Sequence, residues 1–161
     1  DSAVAPTFPS EEAKRARATA LFEGVVQEHE GSPAGEVAKV YLARLFFEEG
    51  RTEEARELWQ QFLDENPDHM LAAAVKLNLL DLERAAGNTE AVVEDLRASL
   101  EAEDSPVPTD ALLFELAESL EELGRSEEAR TMYQRLADEY PDSAYAGTAQ
   151  QKLRDLEPAA A

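Results

Sequence analysis

Apolar residues recur at three- and four-residue intervals along most of this chain, the spacing that lines one face of a helix. The first such run starts behind Ser10, an N-cap candidate after Pro9. Glu11 and Glu12 occupy its first turn, where the positive end of a helix favours carboxylates. Its face is Ala18, Leu21, Phe22, Val25 and Val26, and Gly31-Ser32-Pro33 ends it. The same test predicts helices over about 34–49, 52–65, 69–86, 88–102, 109–123, 126–139 and 143–157. These are eight helices in antiparallel pairs, with no alternating stretch that reads as a strand.

The breaks between helices are regular. Gly50, Gly87 and Gly124 stand 37 residues apart, each where a helix must stop and reverse, and glycine accepts the left-handed backbone such a stop uses. The stretches YLARLFFEEGRTEEARELWQQFLDENPD and FELAESLEELGRSEEARTMYQRLADEYPD overlay without a gap. Leu42-Ala43 falls on Leu116-Ala117, Ala55 on Ala129, Trp59 on Tyr133 and Pro67 on Pro141. The four alanines are small residues on large apolar faces, which lets paired helices approach closely. Thr52 and Ser126 read as N-caps, Pro67 and Pro141 as helix terminators, and Trp59 as core. In the middle repeat GNTEAV brings its alanine one residue early, and prolines arrive late, at Pro106 and Pro108. That predicts a longer, looser loop around 103–109.

The expected fold class is all-α: a right-handed superhelical array of antiparallel helix pairs, about three repeats with a flanking helix at each end. It forms a single domain over 10–157, with residues 1–9 as a linker carrying two prolines and 158–161 as a tail. Small residue, turn glycine, alanine and terminal proline together resemble the tetratricopeptide repeat family, strongly over 36–67 and 110–141 and partially over 73–106. The spacing of 37 exceeds the ~34 residues usual for that family. The closing segment DEYPDSAYAGTAQQKL is similar to repeats of bacterial envelope proteins: the barrel-assembly lipoprotein, the Tol-associated periplasmic coordinator and the anchored repeat protein of the secretion channel. HEGSPAGEVAKVYL echoes it, with Ser32 on Ser143, Ala38 on Ala149 and Leu42 on Leu153. The resemblance implies a periplasmic, membrane-tethered protein, with a cytoplasmic one as the alternative. The start at Asp1 rather than Met agrees with an N-terminal signal or anchor that has been removed or trimmed.

Charge narrows the partners. A net charge of −20 with no basic patch argues against nucleic acid and anionic membrane, the densest basic cluster, Lys14, Arg15 and Arg17, being flanked by Glu11 and Glu12. No apolar run is long enough to span a bilayer. The absence of cysteine removes disulfides, thiolate metal sites and a cysteine nucleophile. His29 and His69 each stand alone at a helix end, and Glu28-His29-Glu30 cannot converge on one ion because adjacent helical residues point about 100° apart. There is no phosphate loop, nucleophile elbow or HExxH. No enzyme, cofactor or metal is expected.

In such arrays the first helix of each pair lines a concave groove. The positions facing it are Val40, Tyr41, Arg44, Phe47 and Glu48 in the first repeat, Leu77, Asn78, Asp81 and Arg84 in the second, and Phe114, Glu115, Glu118, Glu121 and Glu122 in the third. This groove grades from aromatic to acidic and complements a protein or peptide with an apolar anchor and a basic flank. Tyr41, Phe47 and Phe114 have a second reading as core residues, should the helices be rotated by one position. The glutamates equally read as a solvated face. Asn78, an amide inside LAAAVKLNLLDL, contacts either a peptide backbone or a neighbouring helix. The family's clamp for a chaperone's terminal carboxylates needs cations where this chain has Val, Leu and Glu, so that ligand is excluded. A self-associating scaffold without a groove ligand is the alternative, depending on whether the α-helical face of Leu21, Phe22, Val25 and Val26 is covered.

Overall fold

The computed structural model describes residues 8–156. Among them are eight α-helices and no strand: α1 (Glu11–Glu28), α2 (Pro33–Glu48), α3 (Thr52–Glu65), α4 (Ala72–Ala85), α5 (Thr89–Glu101), α6 (Thr109–Glu122), α7 (Ser126–Glu139) and α8 (Ala146–Asp155). Residues 1–7 of the predicted 1–9 linker and the tail at 158–161 lie outside the described residues. The chain divides into two compact units, 1–67 with α1 to α3 and 68–161 with α4 to α8. Within each unit every helix packs on the next.

The hairpins share one stop. Gly50, Gly87 and Gly124 all have positive φ (78°, 85° and 72°). Arg51 N–H donates to Phe46 O at 2.8 Å, Asn88 N–H to Glu83 O at 2.9 Å and Arg125 N–H to Leu120 O at 2.8 Å. Each is the long bond of a Schellman stop, which satisfies carbonyls the helix leaves open. The next helix begins at once, which corrects the reading of Thr52 and Ser126 as N-caps. Both already lie in their helices, and Arg51 and Arg125 occupy the cap positions with no side-chain cap bond. The arginines instead reach forward three residues, Arg51 Nε to Glu54 at 2.8 Å and Arg125 Nε to Glu128 at 2.7 Å. Ser10 does cap α1, accepting from Ala13 N–H at 3.1 Å.

Two helices start three residues later than the periodicity predicts. His69 Nδ1 accepts from Leu71 N–H and Ser143 Oγ from Tyr145 N–H, both at 3.1 Å. These local turns compete with the helix for the backbone donors and delay α4 to Ala72 and α8 to Ala146.

In the first unit Ala43 and Ala55 are fully buried, as their role at a close helix crossing requires. Trp59 is buried too, its Nε1 donating to Val40 O at 3.3 Å. Arg51 lies 3.6 Å over the Phe46 ring. A buried ion cluster joins α2 to α3: Lys39 Nζ is 2.9 Å from Glu36 and 3.1 Å from Glu65, with its side chain only 6% exposed. Asn66 Nδ2 donates to Glu36 at 3.0 Å. Burial works against the charge on Lys39, but its hydrogen bonds to the two glutamates prevail and hold its pKa above the usual lysine value. Four of the five residues of the predicted α1 face, Ala18, Phe22, Val25 and Val26, are partly buried, with Phe22 stacked on Tyr41 at 5.7 Å; beside them Thr19 Oγ1 donates to Glu49 at 2.9 Å. Leu21, expected on that face, is 53% exposed, because Thr19 takes the inward position two residues before it.

The second unit is built on a core of Val92, Val93, Leu96, Leu112, Leu113, Leu116, Leu120, Tyr133 and Leu136. Here the middle repeat keeps the spacing of 37 after all. Leu80 and Val92 occupy the positions of Ala43 and Ala55, and Leu96 that of Trp59 and Tyr133, all buried. The apparent early alanine was the wrong residue to align. Larger side chains at this crossing hold α4 and α5 further apart, and their pairing is the sparsest in the unit. The 102–108 segment is not loose, because Val107 is buried in the same core.

Candidate functional site: a mixed-charge groove on three helices

Positions 37 apart come together on one side of the second unit. Asp81 and Glu118 form one such pair, Arg84 and Glu121 another, Ala85 and Glu122 a third. With Lys152 from α8 they line an open cavity of about 530 Å³ between α4, α6 and α8. Five of the residues read from the sequence as groove-facing (Asp81, Arg84, Glu118, Glu121 and Glu122) are therefore together. Lys152 was missed. It stands two spacings beyond Asn78, so carrying the same periodicity into the closing helix was the available signal.

The two cations of the groove are already engaged. Arg84 pairs with Asp81 and, at 2.9 Å, with Glu115. Lys152 Nζ and the Tyr133 hydroxyl both donate to Glu121 Oε2, at 2.8 and 2.6 Å. Burial tends to raise the Glu121 pKa, but these two hydrogen bonds outweigh it and hold the carboxyl below its usual range. Glu115 goes the other way. Its burial pushes it up further than Arg84 pulls it down, with Asp81 and Glu118 adding like-charge repulsion. The hydrogen bond to Glu121 raises Lys152, so it stays charged. Among the described residues Glu118 and Glu122 have no ion pair within 4.0 Å. Glu122 accepts only a long 3.4 Å bond from Thr89 Oγ1. The groove thus offers two carboxylates with no direct ion pair, Glu122 feeling Arg84 and Glu118 feeling Lys152 only at longer range.

The remaining predicted positions are distributed differently. Leu77 and Phe114 are partly buried against the core, Phe114 stacked on Tyr145 at 4.8 Å and edge-on to Tyr133 at 6.1 Å. Asn78 is half-buried. In the first unit Tyr41 is 51% exposed, Arg44 pairs with Glu48 at 3.0 Å, and Phe47 is half-buried against Trp59 at 5.9 Å. Val40 is a correction. It is 8% exposed and belongs to the interior, because the close Ala43–Ala55 crossing rolls its side of α2 inward.

Among the described residues no group of three His, Asp or Glu is placed to hold a metal, and no helix is long and apolar enough to cross a membrane. Repeated helix hairpins presenting a charged groove define a helical-repeat platform, a fold that generally mediates contacts between proteins. A family model described as a tetratricopeptide repeat-like domain matches residues 4–158, and the chain belongs to this family. No curated protein matches it. Among solved structures it is similar to the nearly identical TPR-like repeats of a Podosopora anserina putative kinesin light chain, with a TM-score of 0.68 and 19% identity over 91% of this chain and 78% of the other. That likeness speaks to the TPR-like fold.

Proposed function

We propose that this protein is an adaptor that captures a protein or peptide segment carrying lysine or arginine in the groove between α4, α6 and α8. The observation that carries this reading is the charge imbalance of the cavity. Its two cations make their direct ion pairs with Asp81, Glu115 and Glu121, while Glu118 and Glu122 have none and feel Lys152 and Arg84 only at longer range. Covering the groove with an uncharged ligand would desolvate those carboxylates at a cost, whereas a cationic side chain offsets it. An acidic ligand would be repelled.

Fluorescence anisotropy with peptides of matched length tests the proposal. A peptide with Lys or Arg beside an apolar anchor should bind the wild type. Its affinity should fall by about tenfold for Glu118→Gln/Glu122→Gln, in line with losing two partly desolvated charge contacts. Equal affinity for basic and acidic peptides would overturn it. We also propose an extracytoplasmic, membrane-tethered setting, supported by the resemblance of the 138–153 segment to envelope repeat proteins. Recovery of the native protein in the cytosolic fraction would refute that setting.

A further inference from the structure

We infer that the groove of one copy receives the exposed Lys14, Arg17 and Leu21 edge of helix α1 of a second copy, so that the protein associates head to tail. This inference rests on the cation-seeking reading of the groove. The chain holds 35 acidic residues against 15 Lys and Arg, so a basic side chain without an acidic neighbour is unexpected. Among the described residues the other arginines are held, Arg44, Arg51, Arg56, Arg84, Arg97, Arg125, Arg130 and Arg135 by carboxylates and Arg154 by Gln151. Arg15 and Arg17 are exposed on α1 and have no acidic partner among the described residues.

Arg17 does not stand alone. Lys14, Arg17 and Leu21 follow one another at helical spacing on the exposed side of α1. Lys14 has only a 3.4 Å contact with the exposed Glu11. Leu21 is 53% exposed on a helix whose other large apolar residues are at least partly covered. Arginine with an adjacent apolar anchor is the chemistry the groove selects: carboxylates at Glu118 and Glu122, with Ala85 and aliphatic stems beside them. Because donor surface and acceptor groove are different patches, the contact is heterologous and can propagate or close into a ring. A net charge of −20 on each copy opposes association at long range. Salt shortens that repulsion to within a Debye length of ~10 Å at 0.1 M, while contact pairs survive. Association should therefore be strongest at moderate salt and weaken at both extremes.

Sedimentation equilibrium over a wide concentration range decides the matter, with thermal melts confirming that each variant is folded. The wild-type mass should rise with concentration. Arg17→Gln/Leu21→Gln and Glu118→Gln/Glu122→Gln should each remain monomeric alone. Mixed one to one they should form a heterodimer, since the first keeps a working groove and the second a working α1. A wild type of constant monomer mass overturns the inference, as does undiminished self-association of either variant or a mixture no heavier than its components. A labelled Lys/Arg peptide separates this from the groove reading. If the peptide binds and the wild type stays monomeric, only self-association falls. If neither occurs, both fall.

Discussion

Gly35 shows how far one missing methyl group can decide the geometry of a helix junction. A Cβ built there would lie 2.1 Å from the backbone oxygen of His29, a contact no side-chain adjustment relieves. Gly35→Ala should destabilise the protein by about 1–3 kcal/mol, the usual cost of overpacking, read as a lower midpoint in urea. Nothing in the sequence marked this residue, because the steric demand arises only when the end of α1 meets the start of α2. Tyr133 was legible in part: its alignment with Trp59 placed it in the core, but its hydroxyl contact with Glu121 was not visible. The depressed Glu121 carboxyl has a definite linkage to pH. A carboxylate held below its unfolded value of 4.5 contributes stability above that pH and loses it as pH falls through the folded pKa. Glu121→Gln should flatten the acid side of a stability–pH curve, and an unchanged curve would show that Glu121 is not linked to folding.

At the scale of elements, the left-handed glycines were readable because their backbone demand is local and their spacing repeats. The helix starts were not, since a cap is chosen by competition among neighbours. Arg51 outranked Thr52 once the Schellman stop and its Glu54 contact left no gap between helices. Val40 and Leu21 were misplaced for a related reason: a periodic face fixes which residues are apolar but leaves the roll of the helix to tertiary packing. Gly24 is interior to α1 and has nothing within 4 Å of an added Cβ. Gly24→Ala should therefore stabilise by about 0.5–1 kcal/mol through helix propensity and lost unfolded-state freedom, which a raised thermal midpoint would report. The closing helix α8 buries Ala149 in the core and packs Leu153, with Leu156 at its C-cap, partly buried against it. Ending the chain before Ala146 should expose that core and lower both solubility and thermal midpoint, as capping elements of repeat arrays require.

For the whole molecule, charge dominates. Its ion pairs are mostly exposed and of the short-range helical kind, worth about 0.3–0.5 kcal/mol each, while a charge of −20 repels itself throughout. Added sodium chloride should then raise the unfolding midpoint in calorimetry, and a fall would mean the ion pairs outweigh the repulsion. Composition made the excess of negative charge plain, but only the structure shows where cations pair with it directly and where Glu118 and Glu122 are left without a direct partner. The buried cluster around Lys39 gives that charge pattern a practical use. Lys14, Lys39, Lys76 and Lys152 are the four primary amines of the side chains. With its ammonium enclosed by Glu36 and Glu65, Lys39 should be the slowest of them to react with an acylating reagent. Its labelling rate, followed by mass spectrometry, would clock the opening of the first unit, while Lys152 in the same spectrum would report whether the groove is covered.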